Sequence, residues 1–158
     1  MKNSSKCPWS KTILVISIIT FIALFAISAY LFASDPNNYM QVCVAILIVV
    51  VLLVTFALTP LRVIVEEKGV TVRLMCGRKF VPRDQIVKVV PFKNDAGTIR
   101  LFGSGGLFGF TGIFRNAELG VFSCLATDLK KSYVIYRKDK RPVVISVDDP
   151  EIWKELGQ

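Results

Sequence analysis

Two long apolar runs, residues 12–33 and 39–58, constrain this 158-residue chain more than any motif does. Neither contains Asp, Glu, Lys or Arg, and only the turn from Ser34 to Asn38 separates them. At about 1.5 Å of rise per residue, a helix of roughly 20 residues crosses a hydrocarbon core about 30 Å thick. The runs therefore predict a membrane α-hairpin of two transmembrane helices. A soluble core is the poorer alternative, because a domain of about 100 residues could not cover both runs and a soluble helix keeps a polar face. A cleaved secretory signal fits no better. Its apolar region is about 7 to 15 residues long, and Leu31-Phe32-Ala33 lacks the small-x-small pattern of a cleavage site.

The flanks of the runs orient them. The N-terminal arm, residues 1–11, carries three lysines and no acid; the turn carries Asp35 and no base; Arg62, Lys68 and Arg73 follow the second run. Lys and Arg beside a span favour the cytoplasmic side, so both termini are expected inside and the turn outside. Trp9 and Tyr39 stand where amphipathic rings settle at the interface. Ser17, Thr20, Ala23, Ala26, Ala29 and Ala33 give the first helix small residues that permit close approach of the second. No ionisable group lies in either run, which argues against a proton relay or ion path built from this chain alone.

Composition excludes more than it proves. A net charge of +8 with 53% hydrophobic residues suits a small membrane protein with basic ends. With no histidine in the chain, a Ser-His-Asp triad, a Cys-His dyad, an HExxH site and a Cys2His2 zinc site are all impossible. Glu66, Glu67, Asp148 and Asp149 fall on strand-end or capping positions and suggest no acid–base pair. The expectation is a non-enzyme with no cofactor, no metal and no small-molecule substrate. Cys7, Cys43, Cys76 and Cys124 are scattered and form no CxxC, which predicts free thiols in a reducing compartment.

Thr59-Pro60 ends the second helix, and the apolar period then changes from helical to alternating. Strands are predicted over residues 61–67, 70–75, 80–81, 86–92, 98–102, 119–126, 132–136 and 142–147, with turns at Lys68-Gly69, Cys76 to Lys79, Lys93 to Gly97, Thr127 to Lys131 and Arg137 to Arg141. Asp148-Asp149-Pro150 caps a short amphipathic helix, Glu151 to Leu156, that buries Ile152, Trp153 and Leu156 and stops at Gly157. Between residues 103 and 114 lies a glycine-rich segment. Phe108 occupies the position where a GxGxxG beginning at Gly103 needs its last glycine, and no Gly-Lys-Ser/Thr follows, so neither nucleotide motif is present. Gly106, Gly109 and Gly112 suit sharp bends or close backbone approach. The segment reads either as a tight loop whose aromatic residues pack on the sheet, or as a contact surface in which Leu107, Phe108 and Phe110 meet lipid or a partner protein.

About seven strands and one terminal helix is the element order of a pleckstrin-homology (PH)-like barrel. The glycine-rich run from Gly103 to Phe114, followed by Glu118 to Phe122, Ala126-Thr127-Asp128, Tyr133 to Ile135, Val144 to Ser146 and Asp149-Pro150, resembles the bacterial PH domain family, in particular members preceded by two membrane helices. Val147 departs from that pattern, in which a proline follows the serine. The resemblance implies three parts: an N-terminal arm (1–11), a transmembrane hairpin (12–58) and an all-β PH-like domain (60–156) capped by a short helix. It further implies a multi-pass protein of the bacterial inner membrane, acting as a non-enzymatic protein-interaction or scaffold module at the cytoplasmic face. Sensing of anionic lipid headgroups is the alternative. For it the candidate basic residues are Lys68, Arg73, Arg137, Lys138, Lys140 and Arg141, although Met75 stands where a second base beside Arg73 would be wanted. The residues after Leu58 hold 17 Lys and Arg against 11 Asp and Glu, a net of +6 that attracts anionic headgroups without selecting one. Expected partners are the bilayer and a protein. Nucleic acid is not expected, since the densest basic cluster is short and carries no recognition motif.

Overall fold

A computed structural model describes residues 3–34, 37–93 and 97–156. Asp35 and Pro36 of the turn between the runs, residues 94–96 of the turn after Phe92, and Gly157 lie outside the described residues. The apolar runs form α1 (Lys11–Ser34) and α2 (Tyr39–Ala57), about 36 and 28 Å long at the usual helical rise. Both are long and apolar enough to cross a membrane, and only 17% of the most apolar stretch of α1 and 11% of that of α2 is buried within the protein. The two helices lie against one another. The Ser28 hydroxyl donates to the Ala45 carbonyl at 3.1 Å, joining the helices where small residues let them meet.

The arm ahead of α1 is a strand, β1 (Asn3–Lys6), which the sequence did not suggest. Beyond α2 come β2 (Pro60–Glu66), β3 (Gly69–Leu74), β4 (Arg78–Pro82), β5 (Ile86–Pro91), β6 (Ile99–Gly105), β7 (Phe110–Asn116), β8 (Gly120–Ala126), β9 (Ser132–Arg137) and β10 (Lys140–Ser146). Ten strands among the described residues replace the expected seven or so. The glycine-rich segment is not one loop: its two ends are the paired strands β6 and β7. The strands form a four-stranded sheet ordered β1-β2-β3-β4 and a six-stranded sheet ordered β5-β9-β10-β8-β7-β6, in which only β8 and β10 run parallel. This is the PH-like, β-rich domain that was expected after the helices.

Alternation along the central strands explains two clusters of core residues. Leu125 on β8, Ile135 on β9, and Val143 and Ile145 on β10 point toward Val63, Val65, Val70 and Val72 of the smaller sheet. Their neighbours Cys124, Val134 and Val144 face the other way, onto Phe92, Phe114 and Phe122. The Phe114 and Phe122 rings stack with centroids 6.0 Å apart. A terminal 3-10 helix, Pro150–Leu156, sits against β1 and β2 and adds Ile152, Trp153 and Leu156 to the first cluster. The expected helix is thus present in tighter form. Seven residues give few i to i+4 bonds, so the short segment takes the 3-10 geometry.

Three contacts seat the domain on the helices. Pairing of β1 with β2 brings the chain ahead of α1 and the chain behind α2 into one sheet, so both ends of the hairpin emerge on the same side. The Thr127 hydroxyl, fully buried, donates to the Pro8 carbonyl at 2.7 Å, and Asp149 N–H donates to Ser5 Oγ at 3.0 Å. In the turn after β3, Met75 N–H donates to Thr59 O and Cys76 N–H to Ala57 O, both at 2.9 Å. These bonds satisfy a carbonyl at the C-terminal end of α2 that no helical amide reaches.

Candidate membrane-facing site

The tip of the β6–β7 hairpin, residues 106–109, reaches the helices. Gly103 and Gly112 stand opposite each other in the ladder, and a Cβ on either would come within 2.1 Å of the facing strand's carbonyl oxygen. Only glycine fits there. Gly106 N–H donates to Gly109 O at 3.0 Å, and the Ser104 hydroxyl donates to Leu107 O at 2.7 Å. This closure forces Phe108 into the left-handed region at φ 57°, which is costly for a bulky side chain. Contacts with the helices offset the cost. Phe108 N–H donates to Ser17 Oγ at 2.8 Å, while the Ser17 hydroxyl donates to Gly106 O at 3.2 Å. The Phe108 ring meets the edges of Phe21 on α1 and Phe56 on α2 at centroid distances of 6.2 and 5.4 Å. Ser17, one of the small residues expected to admit α2, instead holds the tip. Beside it an apolar groove of about 370 Å³ is lined by Ile18, Ile22, Leu52 and Leu53 together with these rings.

Of the three aromatic and aliphatic candidates, Phe108 therefore touches the protein's own helices. Phe110 packs against Phe114 at 6.4 Å and joins the second core cluster, and Leu107 is half-buried. The exposed apolar side chains of this region lie earlier, on β6: Ile99, Leu101 and Phe102, the last 75% exposed. β6 is an edge strand, and among the described residues no strand pairs with its outer side.

The basic candidates separate into two places. Lys68 occupies the turn between β2 and β3, just past Glu66, which lies six residues and so about 20 Å along β2 from Pro60. The turn between β9 and β10, which carries Arg137, Lys138, Lys140 and Arg141, is also remote. β10 runs parallel to β8 toward Ser146 and Thr127, which lie beside Pro8, and the basic turn is at its opposite end. Arg137 is committed within the protein: its Nε and Nη2 donate to the Arg141 carbonyl at 2.9 and 2.6 Å, and burial lowers its pKa.

Arg73 alone stands near the helices, and it does not stand by itself. The register places Lys6 opposite Arg62, Arg62 opposite Arg73, and Arg73 opposite Arg78. One cation from each strand of the smaller sheet thus forms a row across its outer face, all four exposed. Arg62 is two residues beyond Pro60, about 7 Å along the strand. Sequence reasoning passed over Lys6, Arg62 and Arg78 as a group. Counting outward from the turns at Lys68-Gly69 and Cys76-Gly77 pairs the three arginines, whereas nothing local joins Lys6 to them.

All four thiols are free. Burial pushes Cys7 up to about 12 against a smaller opposing pull from the Ser146 hydroxyl, and burial pushes Cys124 to about 12 as well. Such thiols are inert. Among the described residues no group of three or more Cys, Asp or Glu could hold a metal ion.

No curated protein and no solved structure matches the chain. The family model for the bacterial PH domain does match, over residues 61–157, which is the whole β domain from β2 onward and more than half of the chain. The two apolar helices that precede it thus introduce a member of the bacterial PH domain family, to which this chain belongs.

Proposed function

We propose that the chain is a membrane-anchored, non-enzymatic interaction module that holds its PH domain in a fixed pose on the cytoplasmic face of the bacterial inner membrane. PH domains are generally non-enzymatic modules that bind lipids or proteins. The hairpin spans the bilayer twice, and the positive arm and domain stay inside. The observation that carries the reading is β6, an edge strand next to a seated tip, exposing Ile99, Leu101 and Phe102. An edge strand with exposed apolar anchors suits a partner protein's strand, added by backbone hydrogen bonds with side-chain pockets supplying selectivity. A photo-crosslinking residue at position 102 in cells is expected to trap a discrete protein adduct, and one at position 138, on the remote turn, is not. Adducts at both positions, or lipid adducts alone at position 102, would count against it. Contact with anionic headgroups is the second reading, favoured by Arg73 and its three cross-strand neighbours. Lys68 and the turn from Arg137 to Arg141 lend it no support, being at the other end of the domain.

A further inference from the structure

We infer that a cavity between the two sheets is a binding site for a small organic carboxylate with an apolar body. Core-facing positions of both sheets are chiefly apolar, yet three of them in one place carry polar side chains. Lys79 on β4 stands directly opposite Val72 of β3 and so shares the face that Val72 turns to the core. Ser123 on β8 stands opposite Val143 and two residues before Leu125, both members of the first core cluster. Arg137 follows Ile135, of the same cluster, by two residues on β9. Side chains two apart on a strand, or opposite across a ladder, lie on one face. Polar groups at core-facing positions are a fault in a fold unless a function uses them.

The three converge. Lys79, Ser123 and Arg137 line one cavity of about 340 Å³, walled also by Val72, Val81, Leu125 and Val143. A dry apolar cavity of about 150 Å³ takes one benzene ring, so this one takes a body of about two rings. None of its lining residues belongs to α1 or α2, so occupancy needs no contact between the domain and a bilayer. Among the described residues no carboxylate pairs with Lys79 or Arg137. The bonds from Nε and Nη2 to the Arg141 carbonyl hold the guanidinium in place, and burial lowers its pKa, which marks a cation short of compensation. A carboxylate supplies it. Its two oxygens accept from a guanidinium on one sheet and an ammonium on the other, with the Ser123 hydroxyl as a further donor. The valine and leucine walls then select the body. A bare phosphate leaves those walls without contact, and an uncharged hydrocarbon leaves both cations without an anion.

The test uses the full chain in phosphatidylcholine nanodiscs, with naphthoate, naphthylmethanol and inorganic phosphate as probes and the methyl resonances of Val72, Leu125 and Val143 as the readout. Naphthoate is expected to shift these methyls saturably, with a dissociation constant below about 1 mM. The methyls of Ile13 on α1 and of Val90, beside the second cluster, are expected to stay in place. Lys79→Gln is expected to weaken binding about tenfold, and Lys79→Arg to keep most of it. Ser123→Leu, which fills the cavity, is expected to abolish the shifts while the Ile13 and Val90 resonances report an intact fold. Should Ser123→Leu fail to fold, the Lys79 pair alone decides. Absence of saturable shifts in the wild type, equal affinity for naphthoate and the neutral alcohol, or undiminished binding by Lys79→Gln overturns the site. Displacement of naphthoate by an equal concentration of phosphate assigns the cavity to phosphate groups and overturns the carboxylate.

Discussion

The hydroxyl of Ser17 does two jobs at once, accepting from the Phe108 amide and donating to the Gly106 carbonyl, in a position otherwise surrounded by apolar side chains. A polar group buried there is stabilising only because both of its bonds are made. The buried thiols show the same physics with the opposite sign. Cys7 and Cys124 have no charged partner and stay protonated, their folded values near 12 standing above the ordinary 9.0. A raised folded value stabilises the protein fully below the unfolded value, and the contribution disappears as pH climbs through the folded one. Stability should be unaffected by these thiols below about pH 9 and should fall between about pH 9 and 12, by about 1.4 kcal/mol per pH unit for each. Denaturant titrations at pH 8 and pH 10.5, compared with a Cys7→Ala, Cys124→Ala variant, isolate the effect. Equal pH slopes in the two proteins would contradict it.

At the scale of elements, the helices and most strands were legible because each carries its own period. The runs at 12–33 and 39–58 differ from α1 and α2 by one residue at most of their ends, and the alternation from Leu61 onward marked β2, β3, β5, β8, β9 and β10. What escaped depends on distant partners. Asn3-Ser-Ser-Lys6 has no apolar alternation, and it is a strand because β2, more than 50 residues later, offers it an edge. β7 was hidden by glycine, which is normally depleted in strands but is required where Gly103 faces Gly112. The cationic row was invisible for a related reason, since it exists only once register is known. The hairpin tip gives a prediction at this scale. Phe108→Ala removes two edge-to-face ring contacts, worth about 0.5–1.5 kcal/mol each beyond area burial. Hydrogen exchange of the amides at 106–109 should speed up about tenfold, while that of Val63 and Val65 in the core stays the same. Uniform acceleration across the domain, or none, would show that the tip does not dock as a separate unit.

The whole molecule is a β domain closed onto a helical hairpin from both ends of the chain. Because β1 precedes α1 and pairs with a strand that follows α2, the domain is not hung from a linker but assembled around the hairpin's two ends. The Phe108 tip sits among the rings of both helices, and the opposed cations Arg62 and Arg73 stand on the strands that follow α2. General attraction of a domain with a net charge of +6 adds to this but selects nothing. The central claim is that the hairpin crosses the membrane and leaves the domain inside. A cysteine placed at Asn37, between the helices, and another at Asp139, on the remote turn, test it most directly in a Cys76→Ser background. Both positions are exposed. In intact cells a membrane-impermeant maleimide is expected to label Asn37→Cys and to spare Asp139→Cys until the membrane is opened. Labelling of Asp139→Cys from outside, or protection of Asn37→Cys, would contradict the account.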